Sequence, residues 1–95
     1  SWKVLGVVLQ KSGRTAEALL ALEKALALNN EDLETYLNLG VVLFDLSRFR
    51  DAEVSYERAL KLNSSHVVVH NNLGNAQKML GKFSEAEASF RRATR

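Results

Sequence analysis

The 95 residues include no cysteine and no proline. Without thiols there is no disulfide framework, no thiolate nucleophile and no cysteine metal cage. That leaves cytosol, periplasm and extracellular space all compatible, with a soluble, cytoplasmic location the first expectation. Without proline, helix boundaries have to be set by capping and by permissive turn residues. Long apolar runs are missing as well. Val4 to Leu9, interrupted by Gly6, falls far short of the roughly 20 residues that span a bilayer, so no membrane partner is expected. A dominant charge is also lacking. Thirteen basic and eleven acidic side chains leave a net +2 dispersed along the chain, whereas a nucleic-acid binder concentrates Lys and Arg on one stripe. No nucleic acid is expected. The one dense basic group, Arg91, Arg92 and Arg95, falls where a helix C-terminus favours cations. No signal segment precedes Ser1 and Trp2, but these begin in mid-repeat, so the chain reads as an excised piece.

What is present is a period. Gly6, Gly40 and Gly74 stand 34 residues apart, each inside an apolar helix-like stretch. Trp2 and Leu5 align with Tyr36 and Leu39, then with His70 and Leu73. A second stretch repeats at the same offset: Ala18, Leu22 and Ala25 fall over Ala52, Tyr56 and Ala59, then over Ala86, Phe90 and Ala93. One helix-turn-helix unit copied end to end makes a solenoid, which buries its core between copies and leaves a long face free for another chain. The spacing predicts six helices, over 2–11, 15–28, 31–46, 49–62, 65–80 and 83–94. Gly13, Ser47 and Gly81 fill the turns within copies. Asn29 with Asn30, and Ser64 with Ser65, are placed to cap the junctions between copies. The mid-helix glycines, each costing roughly 1 kcal/mol against alanine, are expected to let a neighbouring helix approach through the small residues Ala18, Ala52 and Ala86.

The pattern of a large aromatic, Leu-Gly, then alanine, aromatic and alanine resembles the tetratricopeptide repeat over the whole chain. Asn30 and Ser64 stand where the family places proline, and Gln77 where it places tyrosine. The resemblance implies an all-α, right-handed superhelical solenoid of three helix-turn-helix repeats, 1–30, 31–64 and 65–95, the first truncated and the last without a capping helix. It also implies a peptide-binding inner wall lined by the first helix of each pair. The residues there that the core does not claim include Lys3, Val7, Leu37, Asn38, Val41, Phe44, Asn71, Asn72, Asn75 and Lys78, with Asp45 beside them.

The asparagines suit such a wall, because each amide offers a donor and an acceptor to a peptide group whatever the ligand's side chains. They equally suit a solvated surface. At about 0.5–1.5 kcal/mol per net hydrogen bond, two or three copies imply roughly micromolar binding, helped by apolar contacts. Asn38-Leu39-Gly40 and Asn72-Leu73-Gly74 are locally similar to the tetratricopeptide arm of O-linked N-acetylglucosamine transferase, where asparagines grip substrate backbone; Val4 breaks that ladder in copy one. The family's carboxylate clamp for acidic chaperone C-termini is matched by Lys3 and Asn38 but not by Val7, Val68 or Asn72. No catalytic set is recognisable and no enzyme is expected. His66 and His70 stand four apart but lack a third ligand, so neither metal nor cofactor is expected, and His70 reads as a packing residue in the Tyr36 slot. The competing reading is a spacer or homo-oligomer, joined through apolar surface around Phe90 in the terminal repeat.

Overall fold

The computed structural model describes residues 1–94, and there the chain is all helix: α1 (Trp2–Lys11), α2 (Thr15–Leu28), α3 (Leu33–Asp45), α4 (Phe49–Leu62), α5 (Val67–Met79) and α6 (Phe83–Ala93). Arg95 lies outside the described residues. Each helix packs on the next in sequence, α1 also reaches α3 and α3 reaches α5, so the three pairs stack into a solenoid of 36 × 24 × 18 Å. Among the described residues no helix is long and apolar enough to cross a membrane.

The helical period accounts for the core. On α4, Ala52, Ser55, Tyr56 and Ala59 recur at intervals of three and four and are buried; on α3, Tyr36, Leu39, Gly40 and Leu43 do the same. The turns inside the pairs fall where expected: Gly13 and Gly81 take φ +78° and Ser47 takes φ +60°. Serine carries a Cβ into a left-handed conformation that glycine enters without that clash, so the middle turn is the strained one.

The junctions between pairs differ from expectation. Helices α3 and α5 start two residues later, at Leu33 and Val67, and their N-caps are Asp32 and His66. The Asp32 carboxylate accepts from the Glu34 N–H at 3.1 Å and from the Thr35 hydroxyl at 3.1 Å. Asn29 and Asn63 instead accept the N–H two residues on, from Glu31 and Ser65, which closes a tight turn before the helix rather than capping it. Asn30 and Ser64 contribute their backbone carbonyls. The Tyr36 hydroxyl donates to Asn30 O at 2.8 Å, and the His70 ring nitrogen Nε2 donates to Ser64 O at 2.8 Å. A side chain one turn into the next helix thus anchors the junction.

The glycines also meet something other than alanine. A Cβ on Gly6 would lie 2.7 Å from Leu22 Cγ, one on Gly74 would lie 2.6 Å from the Phe90 ring, and one on Gly40 would overlap the Tyr56 ring. Small faces large: the missing side chain is the socket for the bulky residue of the partner helix, while Ala18, Ala52 and Ala86 are buried one turn away. The third pair differs inside as well. Gln77, in a slot filled by Leu9 and Leu43 in the other copies, is buried and accepts from the Ser89 hydroxyl at 2.7 Å, so its carbonyl is satisfied.

Candidate functional site

Helix α3 ends and α4 begins around a T-shaped pair, Phe44 and Phe49, with ring centroids 5.0 Å apart. That contact holds Phe44 on the inner wall. Helix α5 crosses on the other side and brings Asn72 and Asn75. Between them lies a groove of about 210 Å³ lined by Val41, Phe44, Asp45, Tyr56, Asn72 and Asn75. Its size suits one side chain of a ligand, since pockets for drug-sized molecules start near 300 Å³.

Four of the expected wall residues meet here: Val41, Phe44, Asn72 and Asn75. Asn38 and Asn71 lie on the same two helices, Asn38 at the repeat position of Asn72, while Leu37 packs half-buried against the core. The Ser55 hydroxyl is tied to Tyr36 O and the Ser89 hydroxyl to Gln77, and those bonds draw on none of Asn38, Asn71, Asn72 or Asn75. Asn71 is exposed and Asn38, Asn72 and Asn75 are half-buried, at helix positions where asparagine has low propensity.

Three expected residues are elsewhere. Lys3 donates to Asp32 at 3.0 Å and approaches Glu34 at 3.8 Å, at one end of the solenoid. The hydrogen bond to Asp32 raises the lysine pKa. Burial pushes the Asp32 carboxyl up, but hydrogen bonds from Lys3 and Thr35 outweigh it and hold it below its ordinary value. Lys78 lines a different groove at the opposite end, with Phe83, Phe90 and Arg91. Val7 is half-buried in α1, away from the central groove. The histidines do not converge: His66 Nδ1 accepts from the Val69 N–H at 3.4 Å, while His70 is spent on Ser64. Among the described residues no group of three His, Cys, Asp or Glu is placed to hold a metal.

The groove contains a residue that repeat alignment assigned to packing. Tyr56 is only 1% exposed and fills the Gly40 socket, yet its far end lines the groove. Burial, and then the charge of Asp45, push its phenol well above the usual range; no hydrogen bond helps to offset them. The signal was available in the alignment, because the equivalent Leu22 and Phe90 carry no hydroxyl. Asp45 at the rim is the groove's only charged side chain, so the site offers acceptors and amides to a ligand and no cation.

A stack of antiparallel helix pairs with glycine sockets and a free inner wall defines a helical-repeat scaffold. The sequence comparisons name it further. The tetratricopeptide repeat profile matches residues 31–95, and a second profile for the same repeat matches residues 6–47, so the chain belongs to the tetratricopeptide repeat family. A search of curated proteins returned no match. Among solved structures, MamA AMB-1 is 28% identical with a TM-score of 0.93 over 98% of this chain. This chain spans about half of that one, 51%. The first tetratricopeptide domain of Spaghetti (RPAP3), bound to the HSP90 peptide SRMEEVD, is 26% identical with a TM-score of 0.94, over 97% of this chain and 73% of that one. Its second domain, also bound to that peptide, superposes at 0.95 with 22% identity, over 98% of this chain and 86% of the other, and speaks for the fold alone.

Proposed function

We propose that this chain holds an extended segment of a partner protein along its inner wall. Asn38 and Asn72 grip the segment's backbone, and the Val41–Phe44–Tyr56 groove seats one of its side chains. The observation that carries this reading is the pair of amides, Asn72 and Asn75, lining a groove the protein leaves unfilled, with Asn38 at the equivalent repeat position on α3. An amide pairs with a peptide group in either sense, so the grip is tolerant of sequence while the groove is selective. The Spaghetti domains hold an acidic peptide. Here the groove has Asp45 and no cation, and Lys3 is already paired with Asp32, so an acidic segment is disfavoured and a lysine or arginine beside an apolar residue is favoured.

The same ladder would serve as a substrate-holding arm if the chain sits beside a transferase domain. That reading uses the same asparagines and differs only in what is attached.

Titration of fluorescent heptapeptides with basic, neutral and acidic centres tests the proposal. Basic peptides are expected to bind at roughly micromolar Kd. Asn38→Ala with Asn72→Ala is expected to weaken every peptide by about 30-fold, the loss of two hydrogen bonds near 1 kcal/mol each. Asp45→Lys is expected to reverse the charge preference. Binding that the double variant leaves unchanged sinks the proposal.

A further inference from the structure

The residue that fills each glycine socket does one packing task in three ways: Leu22 against Gly6, Tyr56 against Gly40 and Phe90 against Gly74. Ring carbons alone make the contact with Gly74, and ring carbons make it with Gly40. The task therefore needs no hydroxyl. Tyr56 carries one all the same, on a side chain that is 1% exposed, where a polar group without a partner costs stability. The other buried tyrosine spends its hydroxyl inside the protein, since Tyr36 donates to Asn30 O at 2.8 Å. Among the described residues the Tyr56 hydroxyl has no such acceptor. Nor is it sealed in: the buried side-chain polar atom left without a partner there is His70 Nδ1. The tip of the phenol therefore opens into the central groove that Tyr56 lines.

The surroundings define what that hydroxyl can serve. Burial, and then the charge of Asp45, keep the phenol protonated, so it presents a hydrogen to whatever enters. An aliphatic side chain in the groove would leave that hydrogen unpaired. Lysine and arginine would as well, because neither carries an acceptor. A carboxylate has acceptors but would enter beside Asp45, the groove's only charged side chain. A carboxamide avoids both faults, with an oxygen to accept and an NH2 to donate. Glutamine, longer than asparagine by one methylene, has an apolar stem to lie along Val41 and Phe44, and a groove of about 210 Å³ has room for it.

We propose that the side chain seated here is a glutamine of the partner segment, its oxygen accepting from the Tyr56 hydroxyl and its NH2 donating to Asp45. This rests on the inner-wall reading above and replaces its apolar residue with one that is apolar only along the stem. A lysine or arginine next to the glutamine still finds Asp45, whose carboxylate has lone pairs for more than one donor. Tyr56 thus selects the segment, while Asn38 and Asn72 hold its backbone.

Fluorescence anisotropy with heptapeptides of one alanine-based sequence tests this, each with a lysine beside a central Gln, Met, Glu or Lys. The glutamine peptide is expected to bind about tenfold more tightly than the nearly isosteric methionine peptide, the effect of two net hydrogen bonds, and the glutamate peptide more weakly than either. Tyr56→Phe is expected to fold, since Phe90 fills the equivalent socket, and a thermal melt checks it. In that variant the gap between glutamine and methionine is expected to shrink to about threefold or less as one of the two bonds is lost. A gap that Tyr56→Phe leaves unchanged overturns the proposal. So does a parent chain that binds the methionine peptide as tightly as the glutamine one, or the central-lysine peptide more tightly. In each of these cases the inner-wall reading stands if Asn38→Ala with Asn72→Ala still weakens all four peptides. Failure of the parent to bind any of the four overturns both.

Discussion

Helix pairs α3–α4 and α5–α6 share a repeat pattern but treat the socket residue differently. The second pair buries Tyr56 against Gly40 under the roof of α5, while the third holds Phe90 half-exposed against Gly74. Likewise Tyr36 closes its junction with one hydroxyl, whereas His70 closes the next with one ring nitrogen and leaves its Nδ1 buried with no partner. The difference teaches that a repeat sets the backbone, while its neighbours decide how tightly each side chain is held.

The glycines give the largest test of that contrast. Gly40→Ala is expected to destabilise the chain by about 1–3 kcal/mol, since the added methyl overlaps a ring that has no room to move. Gly74→Ala meets a Phe90 ring free to swing outward, and the roughly 1 kcal/mol helix-propensity gain of alanine is expected to leave it near neutral. Urea denaturation of both variants measures the gap, and equal losses would show that the end pair is as tightly packed as the middle one.

Making the third junction resemble the second has a smaller effect. His70→Tyr keeps a donor for Ser64 O and removes the orphaned ring nitrogen, and a gain of about 1 kcal/mol is expected from relief of an unpaired buried acceptor. A lower Tm would mean that the third junction has no space for a phenol.

The smallest effect separates the first junction, closed by Lys3 and Asp32, from the one capped by His66. Because the Asp32 carboxyl is held below its unfolded value of 3.8, its contribution is complete above that value and is lost as pH falls through the folded pKa. Asp32→Asn is therefore expected to flatten the acid limb of stability against pH below about 4. An unchanged limb in an acid titration followed by circular dichroism would place the acid sensitivity in another carboxylate.

The helices, their pairing and the three left-handed turns were legible because spacing and turn chemistry are local. The starts of α3 and α5 were not, because Asn30, Ser64 and Ser65 are all acceptable caps in isolation, and what displaces the cap to Asp32 and His66 is the anchoring of Tyr36 and His70 on the junction carbonyls. The glycine sockets were legible as close approaches, but which residue fills each depends on rotation of the facing helix. That Val41, Phe44, Asn72 and Asn75 share one groove agrees with the wall positions that the family resemblance implied for first-helix residues. Position does not say that Lys3 has already found Asp32, or that Lys78 lines a separate groove with Phe83 and Phe90.

Among the described residues α1 touches only α2 and α3, and α6 only α5, so no helix contact staples the first pair to the last. This 95-residue stretch, by itself, therefore unzips from either outer pair and reaches the middle last. Val41, Phe44 and Tyr56 belong to that late-opening middle, while α5 supplies Asn72 and Asn75 from nearer the fraying edge. One bank of the groove is thus built to outlast the other.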